Sequence, residues 1–103
     1  MPKLENVTIS KKPNSYFDGM CISYEVMCQD GSKKTIGLIF PSSLTFKTEA
    51  AETMEIASGR CHVRVEGETE WKAYQGGDSF SVPSNSSFEI ETMETLDYLC
   101  HYS

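Results

Sequence analysis

The stretch "GGDSFSVPSNSSFEI", residues Gly76–Ile90, has the pattern of two strands joined by a turn. Phe80 and Val82 alternate with serines, the polar run "PSNSS" follows, and Phe88 begins a second alternating run. Alternation of apolar and polar residues predicts a strand with one buried face, and a polar run with proline predicts a turn. This stretch therefore predicts two short strands whose phenylalanines lie on their inner faces.

The two-residue period continues through most of the chain. It puts Ile22, Tyr24 and Val26 on one face of an early strand. The dipeptide Asp30-Gly31, which follows this strand, predicts a hairpin turn. At the other end, Tyr98, Cys100 and Tyr102 share one face. Short strands separated by turns predict an all-β antiparallel sandwich or barrel.

The segment Thr48–Ser58 is the one place where a helix is conceivable. Its apolar residues do not keep the 3.6-residue spacing of a helix face. We therefore predict a loop that contains Glu49 and Glu52, followed by a strand through Met54 and Ile56. Of all the acidic residues, Glu52 is the best candidate for a pocket, because it directly precedes this apolar strand.

The chain has 103 residues and a net charge of −6, which fits one domain and argues against nucleic-acid binding. An anionic small substrate would need a local positive site. The start "MPKLENVTIS" lacks the apolar region of a signal peptide, and no apolar run approaches the length of a membrane helix. The four cysteines show no C-x-x-C spacing, so we expect reduced thiols and a cytoplasmic protein without membrane contact.

Metal and covalent chemistry have little support among the chemically active residues. The two histidines, His62 and His101, are far apart, whereas the usual metal sites need three or four converging ligands. His62 is expected on the surface. His101 is expected on the surface or at a pocket mouth. Neither a phosphate loop nor a nucleophile motif is present in the sequence.

The run "PSSLTFKT", Pro41–Thr48, combines hydroxyls with an aromatic ring. In a regular strand its hydroxyls and lysine at 43, 45 and 47 share one face, and Phe46 and Thr48 share the other. Hydroxyls for hydrogen bonds and an aromatic ring for stacking suit a polyhydroxylated ligand with a flat ring. An ordinary strand with no ligand remains the alternative.

The spacing of Gly77, Pro83 and Phe88 resembles the second signature of the cupin barrels. The segments "YFDG", "GLIF", "LTFKT", "ETMEIASG", "EWKAYQGGDSFSVPSNSSFEI" and "YLCHY" follow in that order. Together they resemble the small cupin family of bacterial pyrimidine/purine nucleoside phosphorylases. The resemblance implies a small single-domain cupin-type antiparallel β-barrel (a jelly roll) over residues 14–103, with residues 1–13 as an N-terminal extension or edge strand.

The same resemblance implies an activity: nucleoside and phosphate would give free base and ribose 1-phosphate, with purine and pyrimidine substrates, no cofactor and a homodimer. The general cupin pattern would place metal ligands near Ser43, Thr45, Glu52 and Phe88, which is poor chemistry for tight metal binding. Relatives carry basic residues at positions where this chain has Ile22 and His101. The phosphate-binding group is therefore not identified by the resemblance alone.

For this reaction we predict catalytic roles for Thr45, Glu52 and His101. The predicted substrate-binding residues are Ser43, Phe46, Lys47, Thr48, Phe80, Phe88 and Tyr98. The hydroxyls and Glu52 would bind ribose or phosphate, the aromatic rings would stack on the base, and Lys47 or His101 would supply positive charge. Two alternatives stay open: a non-catalytic small-molecule-binding cupin, and a metal-dependent cupin dioxygenase or isomerase.

Overall fold

The computed structural model describes residues 3–102, which form strands and turns without a helix. The strands are β1 (Thr8–Ile9), β2 (Asn14–Tyr16), β3 (Cys21–Met27), β4 (Lys33–Ile39), β5 (Ser42–Lys47), β6 (Glu52–Ser58), β7 (Arg60–Val65), β8 (Lys72–Gln75), β9 (Ser79–Val82), β10 (Ser87–Thr92) and β11 (Leu96–Tyr102). The prediction of an all-β protein is confirmed. Within the described part of the chain, no helix could span a membrane.

Two antiparallel sheets contain these strands. The larger sheet has the order β1-β3-β4-β11-β6-β9, with β2 also paired to β3, and the smaller sheet has the order β5-β10-β7-β8. The chain repeatedly crosses from one sheet to the other, as in sandwiches and jelly rolls. The strands of the Gly76–Ile90 stretch follow this rule, since β9 pairs with β6 in one sheet and β10 pairs with β5 and β7 in the other.

One hydrophobic core fills the space between the sheets. Ile39, Ile56 and Leu96 enter it from the larger sheet, and Val63 and Ile90 enter it from the smaller one. All five are almost completely buried. Burial of apolar area contributes about 25 cal/mol per Å², so this shared core is the main stabilising contact between the two sheets.

Strand β3 turns its more polar face inward. Ser23 is 3% exposed and faces the core, whereas Tyr24 on the opposite face is 37% exposed. Tyr24 pairs with Ile36 of β4, and Ile36 pairs with Leu99 of β11, so an apolar strip crosses the outer face of the larger sheet. The face that carries Ile22 and Tyr24 is therefore the outer face of the sheet.

The segment before the core strand differs slightly from its prediction. Strand β6 begins at Glu52, so Glu52 belongs to the strand and not to the loop before it. Its backbone pairs with Tyr102 on β11 and with Val82 on β9. Glu52 therefore has a fixed position inside the larger sheet, which a loop residue would not have.

Candidate active site

The part of the chain that the structure describes, residues 3–102, includes two depressions that are large enough for a small molecule. The larger, about 470 Å³, lies over the outer face of the smaller sheet, where His62 pairs with Ala73 and Glu91. The other, about 310 Å³, opens between the two sheets and reaches buried side chains of the core. Ligand sites are typically concave, with an apolar lining and a few convergent polar groups. The cavity between the sheets fits this description, and we take it as the candidate site.

One wall of the cavity is aromatic. Phe46 of β5 and Phe88 of β10 are register partners, and their rings stack with centroids 5.4 Å apart and planes 19° apart. Phe17 meets Phe46 edge-on, with centroids 5.2 Å apart and planes 82° apart. These three rings and Tyr16 line the cavity. Such a wall suits a flat, apolar ring in a ligand.

Phe17 is held in an unusual backbone conformation. It lies in the turn between β2 and β3, with φ of 54°, and Asp18 has the same φ. Backbone hydrogen bonds from Gly19 N to Tyr16 O and from Met20 N to Phe17 O close the turn. For a bulky residue this left-handed conformation costs about 1–3 kcal/mol, and the surrounding structure must hold it in place.

The facing wall is polar. The Cys100 thiol donates a hydrogen bond to Glu52 Oε1 over 3.4 Å. Thr35 Oγ1 and the Tyr102 hydroxyl lie 3.1 Å apart and share a hydrogen bond. Ser23 and Tyr98 complete this wall. The cavity therefore places hydroxyls and one carboxylate opposite a set of aromatic rings.

Burial sets the protonation of this polar wall. It raises the pKa of Glu52, and it raises the pKa of Tyr98 and Tyr102 well above the usual tyrosine value. Burial, together with the nearby Glu52, raises the pKa of Cys100 to about 12. Both phenols and the thiol are thus protonated at neutral pH. They can donate hydrogen bonds, but Cys100 is not a thiolate nucleophile.

Two lysines bring positive charge to the cavity. Lys47 borders it at the end of β5. Lys33 Nζ lies 5.3 Å from the ring centroid of Tyr102, which itself lines the cavity. Both side chains are exposed. An anion that enters the cavity would therefore meet two cationic groups in an otherwise acidic protein.

The cavity brings together several of the predicted site residues. Those that line it are Thr45, Phe46, Lys47, Glu52, Phe88 and Tyr98. Thr45 is at the margin: it is exposed, and its register partner is Glu89 on the outer side of the smaller sheet. The aromatic residues and Glu52 lie deeper than Thr45.

Three other predicted residues lie outside the cavity lining. The Thr48 hydroxyl donates to Pro83 O at 2.7 Å and accepts from Ser86 N at 3.0 Å, so it holds the turn before β10. Ser43 is exposed, and its hydroxyl donates to Glu91 at 3.4 Å. Phe80 is buried behind Phe88, with ring centroids 5.6 Å apart. Our placement of these three side chains in the pocket is therefore corrected.

His101 also lies away from the cavity. Its Nδ1 is 2.8 Å from Lys34 Nζ, and its Nε2 is 3.5 Å from Glu55. Because side chains alternate along a strand, His101 is on the face of β11 opposite Cys100 and Tyr102. Of the two expected positions, the structure shows the surface one, on the outer face of the larger sheet, and not the pocket mouth.

Several lining residues were not among the predicted site residues: Tyr16, Phe17, Ser23, Thr35, Ile39, Met54, Cys100 and Tyr102. The alternation that placed Tyr98 and Tyr102 on one face was sufficient to find Tyr102. The "YFDG" segment contributed to the family resemblance but received no role. The sequence alone does not identify Ser23 and Thr35 as cavity residues, because it does not show that the strand faces that carry their hydroxyl groups are buried.

The described residues contain no group of three His, Cys, Asp or Glu side chains that could together hold a metal ion. Of the positions that the cupin pattern assigns to ligands, Ser43 lies on the outer face and Phe88 is part of the aromatic wall. Glu52 is the one strong oxygen donor left among them. The residues present at these positions do not form a metal-binding set.

Comparison with known proteins identifies the family of this chain. A family described as pyrimidine/purine nucleoside phosphorylase matches residues 11–102. The chain belongs to this family. A pyrimidine/purine nucleoside phosphorylase of Herminiimonas arsenicoxydans is 57% identical over 97% of this chain and 96% of its own length. That of Methylobacillus flagellatus is 54% identical over 99% of both chains.

Solved structures support the fold of this family member. A protein of unknown function from Acinetobacter sp. ADP1 superposes with a TM-score of 0.96, at 50% identity and 98% coverage of both chains. Bacillus subtilis oxalate decarboxylase has a TM-score of 0.70 at 18% identity, over 89% of this chain and 27% of the decarboxylase. The second likeness concerns the fold alone.

Proposed function

We propose that this chain is a phosphorylase that cleaves purine and pyrimidine nucleosides with inorganic phosphate to free base and ribose 1-phosphate. The observation that carries the proposal is a cavity with stacked phenylalanines on one side and a carboxylate with hydroxyls on the other. A nucleoside has the matching parts, a flat base and a polyhydroxylated ribose. The relatives named above provide independent support. We further propose that the two sheets close as a cupin-type jelly-roll barrel.

The polarity of the cavity orients the substrate. The base lies against Phe46 and Phe88, and the ribose lies against Glu52 and Tyr102. An ionised Glu52 accepts hydrogen bonds from ribose hydroxyls, and such charge-assisted bonds are the stronger ones. Phosphate approaches beside Lys47, with Lys33 as the second positive group. Thr45, at the cavity margin, keeps its predicted role toward ribose or phosphate.

The reaction breaks the C1′–N bond and forms a C1′–O bond to phosphate. The electron pair of the broken bond leaves with the base, which takes up the proton that hydrogen phosphate loses as its oxygen bonds to C1′, while positive charge develops on the sugar in the transition state. Preorganised groups that match this charge, and positioning of the two reactants, lower the barrier without a covalent intermediate. Glu52 faces the developing positive charge, and a protonated phenol of the polar wall, Tyr98 or Tyr102, donates a hydrogen bond to the departing base.

The proposal is tested by incubating the purified protein with uridine or inosine, with and without phosphate, in EDTA. We expect release of free base and ribose 1-phosphate that requires phosphate and survives EDTA. Glu52→Gln should lower kcat/KM about 10- to 100-fold, which corresponds to the loss of one charge-assisted hydrogen bond. The matched control is Ser43→Ala outside the cavity, which should be as active as the wild type.

Each other outcome identifies a different function. Nucleosides that raise the melting temperature without being cleaved would favour the non-catalytic binding cupin. Activity that EDTA abolishes would favour a metal-dependent cupin. Equal activity of Glu52→Gln and Ser43→Ala would place the reaction elsewhere on the molecule.

We also propose a cytoplasmic homodimer. All four cysteines are free, which suits a reducing compartment. The apolar strip of Tyr24, Ile36 and Leu99 on the outer face of the larger sheet is the surface on which a second copy would pack, because exposed apolar strips of this kind mark interaction sites. Sedimentation should show a dimer for the wild type and a monomer for Ile36→Glu; a monomeric wild type would reject this part of the proposal.

A further inference from the structure

Phe17 combines two unfavourable features at a position where the turn requires a positive φ but not a large apolar side chain. Its φ of 54° is in the left-handed region, where glycine and asparagine are accommodated far more easily than a bulky residue. Its side chain is also 43% exposed, although it is a large apolar ring. Strained residues of this kind concentrate at ligand-binding positions, where the strain is part of a preorganised site.

The Phe17 ring lines the cavity and contacts another of its aromatic rings. Phe17 meets Phe46 at 82°, and Phe46 is nearly parallel to Phe88. The three rings therefore form a corner, with Phe17 as one side and the stacked pair as the other. A flat ring placed in this corner lies parallel to one side and edge-on to the other, and both arrangements are favourable for aromatic rings.

We propose that Phe17 is the outer stacking residue for the nucleobase, which extends the proposed phosphorylase function and rests on it. It holds the base in the aromatic corner, opposite the polar wall that binds ribose. Stacking on the Phe17 ring depends on the flat shape of the base and not on the hydrogen-bonding groups at its edge. Purines and pyrimidines are therefore both accepted, and a ligand without a flat base gains nothing from Phe17.

The reverse reaction separates the two substrates, because free base and ribose 1-phosphate then have separate KM values. Phe17→Leu keeps an apolar side chain on the same backbone but removes the ring. We expect a three- to tenfold higher KM for uracil or hypoxanthine, the size of an aromatic pair, and a KM for ribose 1-phosphate within about twofold of wild type. Phe17→Tyr keeps the ring, so its KM for free base should rise less than that of Phe17→Leu.

A matched control separates stacking from the conformation of the turn. Asp18→Gly relieves the neighbouring left-handed residue and leaves the Phe17 ring in place. It should melt at the same or a higher temperature and keep the wild-type KM for free base. If Asp18→Gly raises this KM as much as Phe17→Leu does, the turn conformation matters and the stacking role is overturned.

Two results would overturn the role of Phe17 while the proposed function stands: a KM for free base unchanged in Phe17→Leu, or equal rises in both KM values together with a lower melting temperature. A wild-type protein that catalyses neither direction would instead overturn the proposed function. Calorimetric titration of uracil or hypoxanthine then decides the role of Phe17 alone. Weaker binding by Phe17→Leu than by Phe17→Tyr supports stacking, and equal binding, or no binding to the wild type, rejects it.

Discussion

Replacement of Gly37 by alanine tests how closely the strands pack under the cavity. Gly37 lies on β4, between Ser23 of β3 and Tyr98 of β11, and both neighbours line the cavity. A Cβ at Gly37 would come 2.5 Å from Ile22 O and 2.9 Å from Ser23 Cβ. The first of these atoms is backbone, so no side-chain rotation can relieve the contact.

The expected loss follows from two opposing contributions. Alanine in a strand interior is favoured over glycine by about 0.5–1 kcal/mol, because it loses less conformational entropy on folding. Overpacking of a close contact costs about 1–3 kcal/mol. The steric contribution is the larger one, and we expect the free energy of unfolding to fall by roughly 1–2 kcal/mol. For a domain of this size that lowers the melting temperature by about 5–15 °C.

Thermal unfolding followed by circular dichroism measures this loss, and Gly67→Ala is the control. Gly67 has φ of 91°, and a Cβ added there would meet no atom within 4 Å, so its substitution strains the backbone without a steric clash. Both variants lose stability, but Gly37→Ala alone should also lose phosphorolysis, because Ser23 and Tyr98 must shift. A Gly37→Ala protein that melts and reacts like the wild type would refute the close approach of β3 and β4.

Four further predictions concern the site and its support. Because burial raises the pKa of Glu52, the ionised carboxylate destabilises the folded state, and Glu52→Gln should unfold at a higher temperature than the wild type at neutral pH. This difference in melting temperature should vanish below about pH 4.5, where Glu52 is protonated in both the folded and the unfolded chain. A difference that does not depend on pH would contradict this. Wild-type activity should fall as pH drops through the raised pKa of Glu52, measured as kcat/KM against pH. Thr48→Val should lower the free energy of unfolding by about 1–3 kcal/mol, measured with denaturant, because Pro83 O and Ser86 N lose their hydrogen-bond partner. KM should not change, and a changed KM would show that Thr48 takes part in substrate binding. Lys47→Met and Lys33→Met should each raise the KM for phosphate more than the KM for nucleoside in steady-state kinetics. A larger rise in the KM for nucleoside would show that these lysines do not bind phosphate.

Strand alternation explains which parts of this molecule could be predicted. Phe88 and Tyr98 lie on the inner faces of their strands, where the sequence pattern placed them. The pattern does not indicate which face of β3 is the inner one, because both faces carry apolar side chains. The burial of Ser23 and the exposure of Tyr24 depend on how β3 packs within the whole molecule, which a local pattern does not contain.

The polar candidates depended on contacts between distant parts of the chain. The pattern correctly placed Thr48 on the strand face opposite its exposed neighbours. It could not show that the Thr48 hydroxyl donates a hydrogen bond to Pro83 O, 35 residues away. Likewise, alternation placed His101 opposite Tyr102, but only the pairing of β11 with β4 shows that Lys34 contacts its ring. Phe17 escaped prediction because its direction is set by a left-handed turn and not by a strand period.

The position of β11 has a consequence for how the protein is made. This last strand lies between β4 and β6 in the middle of the larger sheet. During synthesis β4 and β6 are therefore complete long before the strand that joins them, and both present open edges in the meantime. The polar wall of the cavity is also incomplete until this strand has been synthesised, because Tyr98 and Tyr102 belong to β11. A chain truncated before Leu96 would lack the strand between β4 and β6, and we expect it to aggregate and not to fold into a weaker enzyme.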